Sequence, residues 1–338
     1  MQNKRDAAAG LLVFAALSLQ AATSYKVVAR YPVPGNGGFD YVTLDEPTRK
    51  VYLAHGTQVD VMDADTGKVL GTIPNTPGVH GVAIASAYKH GFISVGRENQ
   101  VLMFDPSTLQ PIKKTDVGKG PDGIYYDPGS KRIFTNNHGT HDVSAIDAAS
   151  GEVVGTVKVE GDGEQAILAD GLVYLNSEDT NEVVVFDPKT LLVKKRLPIG
   201  VAKTPTGLAY DPKTKRLFIA CREEPMLVVM NAVSGKVVAN FPIGIGADWA
   251  HFEAGAKLVF VSTGQGILNA FHQKSADVYE DAGAIQTQPS AKTMAFDSKT
   301  KKIFLPAVEY ETARPSDSAP SPRRTVKPGS GVLLVVAK

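Results

Sequence analysis

The chain has 338 residues, of which 43% are hydrophobic and 21% charged, so it is globular and long enough to bury a sizeable core. Lys and Arg total 36 against 35 Asp and Glu, and this balance removes the electrostatic drive for non-specific nucleic-acid binding. A single cysteine, Cys221, excludes an intrachain disulfide. Because Cys221 follows the apolar run 217–220, we interpret it as a core residue rather than a catalytic thiol.

The first 22 residues are typical of an export signal. Lys4 and Arg5 form a basic start, residues 7–19 are apolar, and Ala21 and Ala22 are small residues suited to cleavage. The apolar run is too short to cross a bilayer of ~30 Å as a helix. We therefore expect a signal peptide over 1–22, a mature chain over 23–338 without a transmembrane segment, and a periplasmic or secreted location. An uncleaved N-terminal anchor is the alternative.

Two turn sequences recur along the chain, one at intervals of 82, 84 and 86 residues and the other at 42, 42, 40 and 44. Asp or Asn opens each turn because its side chain bonds backbone amides two residues on. The regular spacing indicates a repeat of 40 to 44 residues. The turns begin at Asp45, Asp127, Asp211 and Asp297 for the first kind, and at Asp63, Asp105, Asp147, Asp187 and Asn231 for the second.

Short β-branched and aromatic runs lie between these turns, and no sustained helical period is present in the mature chain. Four strands in a repeat of this size predict an all-β fold, a seven-bladed β-propeller of four-stranded blades. The seventh repeat lacks an outer strand, and we expect residues 25–31 to supply it beside the C-terminal strand and close the ring. The repeats start near Gly38, Val79, Pro121, Gly163, Lys203, Ala247 and Ala291.

The second strand of most repeats carries a common pattern. It reads Phe-Ile-Ser-Val at 92–95, Phe-Thr-Asn-Asn at 134–137, Tyr-Leu-Asn-Ser at 174–177, Phe-Ile-Ala-Cys at 218–221 and Phe-Val-Ser-Thr at 260–263. These segments resemble the Tyr-Val-Thr-Asn repeat of the YncE-like, YVTN-type β-propeller proteins. The resemblance covers essentially all of the mature chain and implies a propeller fold and export. It is specific for the fold and does not define an activity.

Two positions in each repeat should converge at one mouth of the central channel, namely the start of the first strand and the loop after the second. Aligned on the turns, the strand starts are Asp40, His80, Asp122, Gln165, Thr206, Asp248 and Lys292, and the loop residues are His55, Arg97, His138, Glu178, Arg222, Thr263 and Glu309. Solvated loops are polar in any case, but His and Arg are dense at these equivalent positions. We predict a ligand site formed by Asp40, His55, His80, Arg97, Asp122, His138, Arg222, Asp248 and Glu309.

Three of these residues, His55, His80 and His138, fall on adjacent blades beside two aspartates. Converging nitrogen and oxygen donors could hold zinc, copper or iron, although no local ligand motif supports a metal. A divalent metal is therefore the candidate cofactor. The two arginines, Arg97 and Arg222, suit an anionic ligand, or they pair with neighbouring glutamates.

Two further features leave alternatives open. Trp249 follows a strand-start residue and either stacks on a ligand or plugs the channel. Residues 314–331 form a Pro/Ser-rich loop inserted in blade 7, either a lid or docking segment or an excursion without function.

Two functions fit these observations. The first is an exported, monomeric binding or interaction protein that holds a small anionic ligand or a protein partner at the channel mouth. The second is a lactonase-type or other metal-assisted hydrolase that uses the same face. Because fold alone does not define function, the choice depends on the site.

Overall fold

The structure, a computed structural model, describes residues 23–312 and 324–338. Within these ranges the regular structure is almost entirely β, in seven four-stranded antiparallel sheets and one small hairpin. Three 3₁₀ turns lie in loops, at Ser86–Tyr88, Gly96–Glu98 and His138–Thr140. The prediction of a seven-bladed propeller with four strands per blade is confirmed.

The first six blades each consist of four consecutive strands, numbered from the channel outwards. Blades 1 to 3 contain β2 (Phe39–Asp45), β3 (Lys50–His55), β4 (Gln58–Asp63) and β5 (Val69–Ile73), then β6 (Val79–Ala85), β7 (His90–Val95), β8 (Gln100–Phe104) and β9 (Pro111–Asp116), then β10 (Pro121–Asp127), β11 (Arg132–Asn137), β12 (Asp142–Asp147) and β13 (Val153–Lys158). Blades 4 to 6 contain β14 (Gly163–Ala169), β15 (Leu172–Ser177), β16 (Glu182–Phe186) and β17 (Val193–Pro198), then β18 (Pro205–Asp211), β19 (Arg216–Cys221), β20 (Met226–Asn231) and β21 (Val237–Pro242), then β22 (Ala247–Glu253), β23 (Leu258–Thr263), β24 (Ile267–Gln273) and β25 (Tyr279–Gln286).

Blade 7 combines both ends of the described chain. Its four strands, from the channel outwards, are β26 (Ala295–Phe296), β27 (Ile303–Ala307), β30 (Val332–Ala337) and β1 (Lys26–Pro32). The outermost strand, β1, pairs antiparallel with β30, from Lys26 opposite Ala337 to Pro32 opposite Val332.

The insertion in blade 7 is partly a hairpin. Strand β28 (Tyr310–Thr312) pairs with β29 (Arg324–Val326), so three residues that composition assigned to an irregular loop lie in a strand. The rest of the predicted loop up to residue 323 lies outside the described residues, as does the predicted signal peptide. In the part of the chain that is described, no helix has the length and apolar character needed to cross a bilayer.

The recurrent turns are closed by local hydrogen bonds, which explains why they could be read from the sequence. Asp63 Oδ1 accepts bonds from the backbone amides of Asp65 (3.1 Å) and Thr66 (2.8 Å), and Gly67 follows with φ of +69°. Asn231 makes the same two bonds in blade 5, both at 2.9 Å. Each turn therefore forms from its own residues and delimits its blade independently of the rest of the ring.

The core lies between neighbouring sheets rather than in one central cluster. The second strand of each blade contributes one large aromatic side chain to it, and all seven are buried: Tyr52, Phe92, Phe134, Tyr174, Phe218, Phe260 and Phe304. Cys221 is also fully buried at the end of β19, and burial, with a contribution from the charge of Glu224, raises the pKa of its thiol to about 12. A thiol in that environment is a poor nucleophile, which agrees with the core interpretation.

Candidate functional site

One residue from each blade forms the mouth ring, defined here as the residues two places into the innermost strand together with Lys292, which precedes β26. In six blades the sequence alignment identified this position correctly, but in blade 4 the ring residue is Glu164 and not Gln165. The reason is that β14 begins at Gly163. The members in blade order are Asp40, His80, Asp122, Glu164, Thr206, Asp248 and Lys292.

A β-bulge places these side chains. In blade 1, Phe39 pairs with His55 and the next aligned pair is Val42 with Leu53, so Asp40 and Tyr41 lie opposite a single residue. Register shifts occur at the same place in the innermost strands of blades 2 to 6. A bulge leaves its extra residue out of the ladder and redirects its side chain. The repeat of this bulge turns polar residues toward the channel.

Blades 1, 2 and 3 place a histidine between two aspartates. His80 Nδ1 lies 2.7 Å from Asp40 Oδ2 and 3.3 Å from Asp122 Oδ2. His138, from the loop of blade 3, lies further away, with Nδ1 4.0 Å from the same Asp122 oxygen and Nε2 2.9 Å from the carbonyl of Gly163. One donor atom each from Asp40, His80 and Asp122 lies within 4.8 Å of the other two, close enough for a single metal ion to contact all three.

The opposite side of the ring is a chain of ion pairs. Lys292 Nζ lies 2.6 Å from Asp248 Oδ2 and 3.2 Å from Asp40 Oδ1. Arg222 reaches the same Asp248 carboxylate and lies 3.2 Å from Glu178 Oε1. In blade 5 the ring residue is the short Thr206, and the longer Arg222 side chain of the same blade makes the contacts with the neighbouring carboxylates. Both cations are already neutralised by carboxylates, so this part of the mouth is not a free anion site.

Burial and neighbouring charges set the ionisation of the mouth. Burial opposes charge on His80, but its hydrogen bond with Asp40 and the charges of both aspartates raise its pKa. Asp40 is also buried, yet His80 and Lys292 hold its pKa below the usual value. For Asp122 burial prevails and raises the pKa, although the charge of His80 acts against it. Asp122 Oδ1 is buried and has no hydrogen-bond partner among the described residues.

Below the ring, a tyrosine closes the channel. The Tyr41 hydroxyl of blade 1 donates to Glu164 Oε2 of blade 4 at 3.1 Å, and its ring lies 5.3 Å from that of Trp249 in blade 6. Burial, a hydrogen bond with Glu178 and the charges of Asp122 and Asp248 raise the pKa of Glu164 well above its usual value. Burial and the surrounding carboxylates likewise raise the pKa of Tyr41. Trp249 lies beside Tyr41 and lines a cavity in the channel, so the two alternatives for it both stay open.

Three bulky residues and three glycines occupy the next position along the innermost strands of blades 1 to 6. Tyr41, Gln165 and Trp249 project from blades 1, 4 and 6, whereas blades 2, 3 and 5 have glycine. A Cβ on Gly207 would lie 2.6 Å from the backbone carbonyl carbon of Trp249. Gln165 bridges blades 5 and 6, accepting from Leu208 N at 2.8 Å and donating to Ala250 O at 3.2 Å. The glycines therefore let neighbouring blades approach closely around three bulky side chains.

Three predicted site residues, His55, Arg97 and Glu309, make no side-chain hydrogen bond or ion pair with the mouth ring among the described residues. His55 is buried within blade 1, where Nδ1 lies 2.7 Å from Asp60 Oδ2 and Nε2 3.1 Å from Gly37 O. It is the last residue of β3 rather than a loop residue, and the structure does not bring it to His80 and His138. Glu309 pairs with Lys327 at 2.7 Å beside the hairpin, and Arg97 packs against Gly78.

Other residues of the site were absent from the predicted set. Glu164 was missed by one position, and Tyr41 was not considered, although its place in the bulge beside Asp40 is a signal that could have identified it. Lys292 was aligned with the ring but not assigned to the site. His141 belongs to a separate, largely exposed group with Asp162 and Asp179.

Comparisons with known proteins agree with the fold. No protein-family model matches the chain. It is 23% identical to the protein YncE of Salmonella typhi, which is described as uncharacterized. The match extends over 250 residues and covers 66% of this chain and 68% of the relative. YncE of Salmonella typhimurium matches over the same extent at the same identity. Among solved structures, hydrazine synthase of Kuenenia stuttgartiensis superposes with a TM-score of 0.71 at 15% identity, covering 81% of this chain and 94% of that one. That likeness concerns the fold alone.

Proposed function

We propose that this seven-bladed propeller, whose fold and curated relatives are consistent with the YncE-like family, is an exported protein that binds a divalent metal ion at its channel mouth. The observation that carries the proposal is the cluster of Asp40, His80 and Asp122, whose donor atoms lie within 4.8 Å of one another. Each donor comes from a different blade, so the rigid ring holds them at fixed distances. An imidazole with two carboxylates suits zinc, iron or manganese.

The charge of the mouth favours a cation over an anion. Lys292 and Arg222 face the carboxylates of Asp40, Glu178 and Asp248 and are paired with them. Asp122 adds a further carboxylate whose Oδ1 lacks a hydrogen-bond partner in the described chain. The other oxygen of Asp122 lies 3.3 Å from His80, but Oδ1 has no such partner among the described residues, and burying an unsatisfied carboxylate oxygen is costly. A metal ion at His80 would supply that partner, whereas the anionic ligand expected from the arginines would meet excess negative charge.

The proposed metal site is tested with chelator-treated protein titrated with ZnCl₂ in a calorimeter. His80→Gln and Asp122→Asn each remove one donor and should weaken zinc binding by about tenfold or more. His141→Gln is the matched control, because it removes the histidine of the separate group with Asp162 and Asp179. Zinc binding that survives both mouth substitutions, or that disappears only in His141→Gln, would contradict the proposal.

Export follows from residues 1–22, with their basic start, apolar run and terminal alanines. The mature chain should begin between Ala22 and Tyr25. Sequencing the N-terminus of protein recovered from a periplasmic fraction tests this. An intact Met1 on that protein would contradict cleavage.

A hydrolase is the second candidate function, because the cluster provides three protein donors. Three donors leave coordination positions open, and an open position on zinc can hold and activate water. His138 lies 4.0 Å from the Asp122 oxygen, within reach of such a water. Zinc-loaded protein that hydrolyses γ-butyrolactone, with activity lost on chelation, would favour a hydrolase. Tight zinc binding without turnover would favour the binding function.

A further inference from the structure

We infer a second ligand site inside the channel, below Tyr41 and Trp249, that takes a small, flat, uncharged aromatic molecule. This inference is independent of the metal proposal, because it uses a cavity that the three proposed metal ligands do not line.

The cavity has a volume of about 450 Å³. Pockets for small molecules typically enclose 300–1,000 Å³, so the space matches one such ligand. Its walls come from the innermost strands of blades 1 to 4, 6 and 7, and among mouth-ring residues only Glu164 reaches it. The lining therefore begins under the mouth and continues toward the other end of the channel.

Aromatic and aliphatic side chains dominate the walls. Tyr41 and Trp249 form the end nearest the mouth, with their ring centroids 5.3 Å apart. His251 and Phe296 stack on another wall at 4.3 Å with an interplanar angle of 19°. Ile84 contributes apolar surface from blade 2. Flat rings gain from offset or edge contacts with such faces beyond the burial of area, which favours an aromatic ligand over an aliphatic one.

The cavity offers no counter-charge to an ionic ligand. No Lys, Arg or Asp of the described chain lines it, and burial and a hydrogen bond with Glu178 raise the pKa of its one acid, Glu164, well above the usual value. Burial lowers the pKa of His251 to about 4, so its imidazole is neutral. A charged ligand would lose its hydration without gaining a counter-charge. This requirement selects an uncharged molecule.

His251 offers a polar group that can orient the ligand. The described residues make no hydrogen bond to its ring nitrogens, and a neutral imidazole offers one donor and one acceptor. Several other polar lining groups are engaged: Gln165 with Leu208 and Ala250, Thr43 with Val82 O, and Tyr41 with Glu164. A ligand with one hydroxyl or amide group opposite His251 would satisfy both partners. Entry is expected from the end away from the mouth, where Leu44 and Tyr126 are partly exposed.

The test uses 1-naphthol, with 1-naphthalenesulfonate as the charged analogue, measured by calorimetry and by the fluorescence of Trp249. Trp249 is the only tryptophan in the chain and lines the cavity, so its emission reports where the probe binds. Ala295→Phe fills part of the cavity, and His251→Phe keeps the stack on Phe296 but removes the polar group. Ala254→Phe, at an exposed turn position outside the cavity, is the matched control.

We expect saturable binding of one 1-naphthol, a change in Trp249 emission, and at least about tenfold weaker binding of the sulfonate. Ala295→Phe should reduce affinity for 1-naphthol about tenfold and His251→Phe about fivefold, with no change in Ala254→Phe. Absence of saturable binding, equal affinity for the two probes, or unchanged affinity in folded Ala295→Phe would overturn the inference. If Ala295→Phe does not fold, unchanged affinity in His251→Phe would overturn it equally.

Discussion

Tyr41 of blade 1 donates a hydrogen bond across the channel to Glu164 of blade 4, with 3.1 Å between the hydroxyl and Oε2. The contact joins opposite parts of the ring and separates the charged mouth from the apolar cavity below. It also keeps Glu164 in a buried position beside Glu178, where burial and that neighbour raise its pKa. One phenol thus lies between the two proposed sites.

Close approach of blades 5 and 6 should make Gly207 intolerant of any side chain. In Gly207→Ala the new Cβ would lie 2.6 Å from the carbonyl carbon of Trp249 and 2.7 Å from Ala250 N, and backbone atoms cannot move aside cheaply. We expect a loss of about 2–3 kcal/mol in the free energy of unfolding, measured in denaturant. Gly38→Ala is the control, since its Cβ would meet nothing closer than 4.0 Å. Equal stability of the two variants would refute the close packing.

Alanine substitution of the two arginines of the predicted site should have different effects on the free energy of unfolding. Arg222 binds the buried Asp248 and lies 3.2 Å from Glu178 Oε1. Arg222→Ala should therefore lower the free energy of unfolding by about 1–3 kcal/mol, since Lys292 still reaches Asp248. Arg97→Ala should change it by no more than about 0.5 kcal/mol. Thermal and denaturant unfolding of both variants tests this, and an unchanged Arg222→Ala would show that its ion pairs are not structural.

Removing Lys292 should strengthen metal binding. Its ammonium group lies 3.2 Å from Asp40 Oδ1 and therefore competes with a cation at the proposed metal site. Lys292→Met keeps much of the side-chain volume and removes the charge, so zinc affinity should rise by about tenfold, on the scale of one charged hydrogen bond. Calorimetric titration of chelated protein measures the change. A lower zinc affinity in a folded variant would show that Lys292 organises Asp40 rather than opposing the metal.

His251, which is half-buried on the channel wall, should make stability depend on pH. Burial lowers its pKa to about 4 from 6.5, so below pH 6.5 the unfolded chain takes up a proton that the folded chain does not. The contribution of neutral His251 to the free energy of unfolding is fully present above pH 6.5 and is lost as pH falls toward 4. A pKa difference of about 2.5 units between the folded and unfolded chains corresponds to a contribution of about 3 kcal/mol. Denaturant unfolding at pH 7, 6, 5 and 4 measures it.

The difference between variants isolates this contribution from that of other groups. His251→Phe should show a shallower fall in stability between pH 6.5 and 4 than the parent protein. Ala254→Phe, which changes an exposed turn position of blade 6 that carries no ionisable group, should keep the parent slope. The prediction fails if His251→Phe and the parent lose stability in parallel over that range.

Deleting the N-terminal strand should destabilise the ring. Strand β1 pairs with β30 along blade 7, and Tyr25 packs in the core with its ring 5.0 Å from Phe260. A chain that starts at Gly35 would lack these contacts and expose the edge of β30. We expect loss of soluble protein that unfolds cooperatively, compared with a chain that starts at Thr23. A truncated chain with the same melting temperature would show that β1 is dispensable.

The blades could be predicted from the sequence because their signals are local. The aspartate that opens each turn accepts hydrogen bonds from the backbone amides two and three residues on, as at Asp63, Asp105 and Asp147. Each turn can therefore be recognised from its own short sequence. The mouth ring was predicted nearly as well, since Asp40, His80, Asp122 and Asp248 occupy one repeated position. The errors at Gln165 and His55 are shifts of one residue. In a strand such a shift moves a side chain to the other face.

The sequence by itself determined the number of blades, the position of their turns and the polar character of the mouth, because these depend on residues close together in the chain. Only the tertiary structure decided which polar residues meet. Tyr41 and Glu164 are 123 residues apart, and Lys292 and Asp40 are 252 apart. No local pattern relates such residues, and their ionisation depends on burial and on charges supplied by other blades. The closed ring brings them together, and it thereby places a charged mouth above a cavity that no Lys, Arg or Asp of the described chain lines.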